Sequence, residues 1–217
     1  MLKINWEHVD CVCIDFDSTL CETESLDDLA EFLGKRNEVE QITKRGMEGE
    51  LKFEDSLEKR MNILSINQNL YNQFLKQNKL KLTINSQKFI QFLKEHDIPV
   101  YIISGGFSDI IHSLVKSLGI KKEMIFANNI IFDKYGNYLD FDRTKMTSYS
   151  GGKGKVIQYL KDEFRYQNIY IIGDGVTDLE ACPPANGFIG FGGNVIRENV
   201  KNRSKWFIYD FQELLEE

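Results

Sequence analysis

Apolar residues recur along this chain in two rhythms, short unbroken runs and stripes at helical spacing, and the two alternate. The runs Val9–Phe16, Pro99–Ser104, Ile169–Gly173 and Phe188–Phe191 predict core strands, with Trp206–Tyr209 as a fifth. Between them the stripes predict helices. Phe89, Phe92 and Leu93 fall at helical spacing ahead of the second run. Ile110, Ile111, Leu114, Val115 and Leu118 follow it and stop at Gly119, a residue suited to a helix C-cap. Strands alternating with helices imply an α/β fold with a doubly wound, mostly parallel sheet of Rossmann-like layout.

Two regions break the rhythm. Residues 21–81 hold no convincing strand, and Leu26–Leu33, Glu38–Met47, Phe53–Leu64 and Gln68–Gln77 all predict helices. Ser25 and Asp55 suit helix starts, and Gly34, Gly46 and Gly49 punctuate. The expectation is a small helical cap over 21–81, inserted after the first strand, on a core formed by 1–20 and 82–217. The second break is a β-hairpin insertion, with Ile130–Phe132 and Tyr138–Phe141 flanking Lys134-Tyr135-Gly136-Asn137. No internal repeat, low-complexity tract or interdomain linker is visible.

Composition narrows the partners. With 217 residues, 42% hydrophobic and 28% charged, the chain has the make-up of a globular protein. A net charge of −6 argues against nucleic acid and anionic membranes, both of which reward basic surfaces. Nowhere do eighteen apolar residues run together, and Glu7, His8 and Asp10 stand where a signal peptide needs an apolar block. Cys11, Cys13, Cys21 and Cys182 form no disulfide framework, which points to a reducing compartment and so to the cytoplasm. Oligomeric state is not encoded legibly, and a homodimer is left open.

Chemistry concentrates where strands end. Asp15 and Asp17 close the first run, and at a strand end the chain turns, so both can face one crevice. Ser104-Gly105-Gly106 closes the second and opens a helix, either as a tight turn or as a hydroxyl and N–H groups offered to an anion. Gly151-Gly152-Lys153-Gly154-Lys155 precedes the helix Val156–Phe164, either as a solvated basic loop or as a phosphate contact. It is no Walker A loop, since no Ser or Thr follows Lys155. Asp174 and Asp178, four apart at a helix start, can cap that helix or turn toward one cation. Gly190-Phe191-Gly192-Gly193 lacks a third glycine at Val195, which excludes a dinucleotide fingerprint.

The four segments together resemble the haloacid dehalogenase-like phosphatases, and within them the branch that hydrolyses phosphoserine. The resemblance covers nearly the whole chain, through Ile102–Phe107, Ser150–Lys155 and Ile172–Gly175. Glu180–Ala185 and Phe188–Arg197 look like that branch in its eukaryotic form. The resemblance implies hydrolysis of O-phospho-L-serine to L-serine and phosphate, the last step of serine biosynthesis. Asp15 would be the nucleophile and become an aspartyl phosphate, and Asp17 the general acid and base. Mg²⁺ would sit on the Asp15 carboxylate, the Asp17 carbonyl and Asp174, with Asp178 behind them. Lys153 and Ser104 would neutralise the phosphoryl oxygens. Glu24 would read the substrate ammonium and Arg60 its carboxylate, with Met47 and Phe53 lining the cap. Ser18, Gly105, Gly106, Thr177 and Arg197 complete the implied substrate set. One departure stands out: the family's Thr-Pro-Gly turn reads Thr83-Ile84-Asn85 here.

Two other readings compete. A phosphatase of another small phosphomonoester keeps the chemistry, but Glu24 with Arg60 argues for an amino acid. A signalling receiver module also phosphorylates an Asp near a hydroxyl and a Lys. It is shorter, has no helical insert after its first strand, and gains nothing from an acid-base group at Asp17.

Overall fold

Every residue of the first strand, Cys11–Ile14 (β1), is buried, as befits the centre of a parallel sheet covered on both faces. The computed structural model describes residues 4–47, 50–77 and 79–215. It pairs β1 with Val100–Phe107 (β2) on one side and Ile169–Gly173 (β6) on the other. Ile125–Asn128 (β3) lies beyond β2, while Gly187–Phe191 (β7) and Phe207–Ile208 (β8) lie beyond β6. The order β3-β2-β1-β6-β7-β8 is parallel throughout and reverses its winding between β1 and β6. That reversal is where an open α/β sheet leaves a crevice at its carboxyl edge.

Side-chain alternation splits the core into two layers. Val12 and Ile14 pack with Phe89, Leu93, Ile102 and Ile111 on one face, and Cys11 and Cys13 with Ile103, Val156, Ile157 and Leu160 on the other. All four cysteines are free, and Cys11, Cys13 and Cys21 are buried, filling the core as small apolar residues.

After β1 come four helices: Ser25–Phe32 (α1), Arg36–Met47 (α2), Phe53–Leu64 (α3) and Gln68–Gln77 (α4). Leu26, Leu29, Val39, Leu57, Met61 and Leu64 give them a core of their own. That core continues into Phe107, Ile110 and Phe141, so the helical layer is joined by apolar contact to the sheet edge and to the hairpin. The hairpin itself is Ile130–Phe132 (β4) with Tyr138–Phe141 (β5), antiparallel and separate from the main sheet. Ser86–Glu95 (α5), Ser108–Val115 (α6), Gly152–Phe164 (α7), Val176–Leu179 (α8) and Glu198–Lys201 (α9) complete the order. Among the described residues no helix is long and apolar enough to cross a membrane.

Several boundaries differ from the sequence reading. β1 stops at Ile14; Asp15 N–H still donates to Ile172 O of β6 at 2.9 Å, and the chain then turns away from the sheet. β2 runs on through Gly105 and Gly106 to Phe107, so these glycines belong to a strand and do not open α6. β3 is a strand that the apolar runs did not reveal. Lys153 stands in the first turn of α7, not in a loop ahead of it. Gly46 lies inside α2, and Gly49 falls outside the described residues. At the departure from Thr-Pro-Gly, Asn85 takes a left-handed conformation at φ 59°, one that Asn tolerates better than most residues. Its Nδ2 donates to both carboxylate oxygens of Asp210.

Candidate active site

Asp15 and Asp17 face one cavity because the chain after β1 does not stay extended. The Asp15 carboxylate accepts from its neighbour, Phe16 N–H, at 2.8 Å. Ser18 then turns left-handed at φ 55°, a conformation that costs an L-residue about 1–2 kcal/mol. Local bonds offset it: Ser18 N–H donates to Thr23 O at 3.2 Å, and Ser18 Oγ donates to Glu24 Oε1 at 2.8 Å. The cavity at the strand ends measures about 480 Å³ and takes in Asp15, Asp17, Glu24, Arg60, Lys153 and Asp174.

Charge is concentrated there. Lys153 Nζ lies 2.8 Å from Asp15 Oδ1 and 2.7 Å from Asp178 Oδ1. Burial works against the lysine's charge, but the two carboxylates more than offset it and hold its pKa above the ordinary value. Burial raises the Asp15 pKa, with Lys153 opposing. Asp178 is raised by burial and by Asp15; its Oδ2 also takes Gly175 N–H at 3.1 Å. Asp174 is raised by burial and Asp15 against the pull of Arg197, whose Nε donates to Asp174 Oδ2 at 2.7 Å. Thr19 Oγ1 donates to the other Asp174 oxygen at 3.0 Å.

Asp17 is held from two sides. Ser25 N–H, at the start of α1, donates to Oδ1 at 2.7 Å, and Ser104 Oγ donates to Oδ2 at 3.2 Å. Burial pushes the Asp17 pKa up, while these hydrogen bonds draw it back. Glu24 is pushed up to about 8 by burial and by Asp17 and Asp174, despite Ser18 and Arg197. Arg197 Nη2 reaches Glu24 at 3.2 Å, so this arginine bridges Glu24 and Asp174.

Of the helical layer, α3 contributes most. Arg60 is buried, with Nε donating to Ser56 O at 3.3 Å. Burial lowers its pKa, opposed by Glu24, Asp27 and Asp17. Phe53 lies over Gly105 so closely that a Cβ on the glycine would stand 2.5 Å from its ring. Thr177 is exposed at the cavity rim, beside Gly105 and Gly106 on its wall. Ser18 and Ser104 act on the cavity through Glu24 and Asp17 rather than by lining it. The side chain of Met47, expected in the cap, lies outside what the structure describes.

Three contributors escaped the sequence reading. Glu54 Oε2 accepts from Ser150 N–H at 3.1 Å and Ser150 Oγ at 3.0 Å, fastening α3 to the loop before α7. Asn194 Nδ2 donates to Ser18 O at 3.1 Å and to Thr83 Oγ1 at 2.7 Å, pinning the turn after β1. Thr19 orients Asp174 as described. Asn194, next to Gly192-Gly193, carried a faint turn signal; the others carried none, since their partners are distant in sequence.

The haloacid dehalogenase-like hydrolase family matches residues 9–186. The chain belongs to this family. Phosphoserine phosphatase of Rattus norvegicus is 44% identical over 208 residues, covering 96% of this chain and 92% of that protein. A solved phospho-aspartyl intermediate analogue of phosphoserine phosphatase superposes with TM-score 0.82 at 27% identity, covering 95% of this chain and 97% of that one. A substrate-bound phosphoserine phosphatase complex gives 0.83 at 27%, with the same coverage.

Phosphatases among the haloacid dehalogenase-like hydrolases generally use Mg²⁺, and the donor set in this member fits a hard divalent ion. Oxygens of Asp15, Asp174 and Asp178 lie within 4.8 Å of one another, all three residues buried. Oxygen ligands are what Mg²⁺ takes. Both oxygens of Asp178 accept from Lys153 and Gly175, as both of Asp174 accept from Thr19 and Arg197, so each carboxylate is held in place at the cluster by its own partners.

Proposed function

We propose that this chain hydrolyses O-phospho-L-serine to L-serine and phosphate, with Asp15 carrying the phosphoryl group between two half-reactions. One observation carries the reading: the Asp15–Asp17 pair shares its cavity with a carboxyl, Glu24, and a buried guanidinium, Arg60. A phosphoryl-transfer pair beside an ammonium reader and a carboxylate reader suits a phosphorylated free amino acid. The raised Glu24 pKa supports it, since a buried carboxyl crowded by other acids gains most from a cation brought by the substrate.

Arg60 binds the substrate carboxylate and Glu24 its ammonium, which fixes the phosphoryl group over Asp15. A carboxylate oxygen of Asp15 forms a bond to phosphorus as the bond to the serine oxygen breaks. Asp17, whose pKa burial favours holding a proton, gives that proton to the departing oxygen. L-Serine leaves. Asp17 then takes a proton from water, the water oxygen attacks phosphorus, and Asp15 is released with phosphate. Lys153, kept charged by Asp15 and Asp178, offsets negative charge on the phosphoryl oxygens in both steps. Mg²⁺ would be held by Asp15, the Asp17 carbonyl and Asp174, and would supply further neutralisation of those oxygens. The helical layer α1–α4 is the specificity element, and four free cysteines support a cytoplasmic enzyme.

The test is phosphate release from a panel: phosphoserine, phosphoethanolamine, a sugar phosphate and an aryl phosphate, each with Mg²⁺ and with chelator. Phosphoserine should turn over fastest, chelator should abolish release, and Asp15→Asn should be inactive while folded. A preference for any substrate lacking the amino-acid group would overturn the substrate assignment.

A further inference from the structure

β2 and β3 lose register over the stretch that bears Ser104, Gly105 and Gly106. β2 advances four residues, Ile103 to Phe107, while β3 advances two, Phe126 to Asn128. A bulge of this kind takes backbone groups out of the ladder, and a buried carbonyl without a partner is costly. The Gly105 carbonyl is met instead by a side chain, Asn128 Nδ2, at 2.9 Å.

Asn128 is fully buried, and its amide is saturated. Nδ2 also reaches Thr147 O at 3.4 Å, and Oδ1 accepts from Thr147 Oγ1 and Ser148 Oγ, both at 2.9 Å. With both ends committed, the amide cannot turn over without losing bonds on each side. The Gly105–Gly106 peptide is planar, with C=O and N–H on opposite edges. Holding the carbonyl on Asn128 therefore aims Gly106 N–H away from β3, to Ser104 Oγ at 2.8 Å. That hydroxyl donates to Asp17 Oδ2. On its other side Asn128 grips the turn at Thr147 and Ser148. Gly152, the first residue of α7, packs on that turn so tightly that a Cβ would lie 2.3 Å from Met146 O. Lys153 is the next residue.

We infer that Asn128 is a positioning residue for the phosphoryl half of the site, setting both the Ser104–Gly106 edge and the start of α7 that carries Lys153. The inference rests on the phosphoserine reading given above. Glu24 and Arg60, which read the amino acid, take no part in this network, so the two halves of the site separate experimentally.

The experiment uses the Mg²⁺-loaded enzyme and two inhibitors: orthovanadate for the phosphoryl half and L-serine for the amino-acid half. Asn128→Asp keeps the shape and the acceptor oxygen but turns a second oxygen toward the Gly105 carbonyl. Vanadate inhibition should weaken about tenfold or more, with kcat falling, while the L-serine inhibition constant stays within about twofold. Thr147→Val, which removes one donor to Oδ1, should show the same selective loss at a few-fold, and it decides the matter if Asn128→Asp does not fold. Equal weakening of both inhibitors, or of neither, would overturn the role of Asn128 while wild-type turnover leaves the parent reading standing. A wild type that releases no phosphate from phosphoserine would overturn both.

Discussion

Arg60 shows how much one buried side chain can decide. A guanidinium taken out of water must be matched by charge, and here Glu24, Asp27 and Asp17 supply the field that keeps it ionised. Among the described residues Nε bonds only a backbone carbonyl, and the group borders the cavity. Arg60→Ala should lose about 10- to 100-fold in kcat/KM on phosphoserine, the equivalent of about 1.5–3 kcal/mol for a charge-assisted hydrogen bond. Phosphoethanolamine, which keeps the ammonium and lacks the carboxylate, should change by no more than a few-fold. Equal losses on both substrates would make Arg60 a support of the helical layer instead. The acids Asp15, Asp17, Asp174 and Asp178 were legible in the sequence because strand ends announce a crevice. Glu24 and Arg60 were legible only through family resemblance, since a first-turn acid and a helical arginine look ordinary until the fold brings them to the same cavity.

At the scale of elements, the contact that matters is between α3 and β2. Phe53, at the first turn of α3, covers Gly105, and no side chain fits between them. Gly105→Ala should push the Phe53 ring and the end of α3 away, an overpacking cost of about 1–3 kcal/mol. The expected result is a raised KM for phosphoserine, and Phe53→Leu combined with Gly105→Ala should recover most of it. A double variant as impaired as the sum of the two singles would show that the ring is not the cause, because residues in contact should not add. This contact explains why Gly105-Gly106 misled as a helix start. Gly105 is required by an approaching element some fifty residues earlier and Gly106 by its closeness to Asp17 and Ser104, and local turn signals do not carry that information. β3 was missed for a related reason: Ile125–Asn128 is short and half-buried, and it is defined by pairing with β2 rather than by its own pattern. The helices α3 and α4, by contrast, matched their apolar stripes to the residue, as their cores are built from their own periodicity.

For the molecule as a whole, the site is a charge imbalance that the fold sustains. Five carboxyls, on Asp15, Asp17, Glu24, Asp174 and Asp178, face three cations, on Arg60, Lys153 and Arg197. Ionised together they would leave a deficit of two positive charges; the raised carboxyl pKa values are the response of the ion-free site, and one divalent ion would replace the bound protons. An ion that binds the folded chain and not the unfolded one stabilises it by mass action, about 2.7 kcal/mol at a hundred times its dissociation constant. For a chain of this size that corresponds to a rise in Tm of roughly 5–10 °C. Calorimetry should show this rise on adding Mg²⁺ and its loss on chelation. Sodium chloride of matched ionic strength should produce little of it, because screening acts weakly on buried charges. Asp174→Asn retains a group that can meet Thr19 and one face of Arg197 but removes a charge from the cluster. It should lose most of the Mg²⁺-dependent rise while its own metal-free Tm stays equal to or above that of the wild type. A full Mg²⁺ shift in Asp174→Asn, or an equal shift from sodium chloride, would mean that the cation acts elsewhere on the surface and that the buried acids are balanced without it.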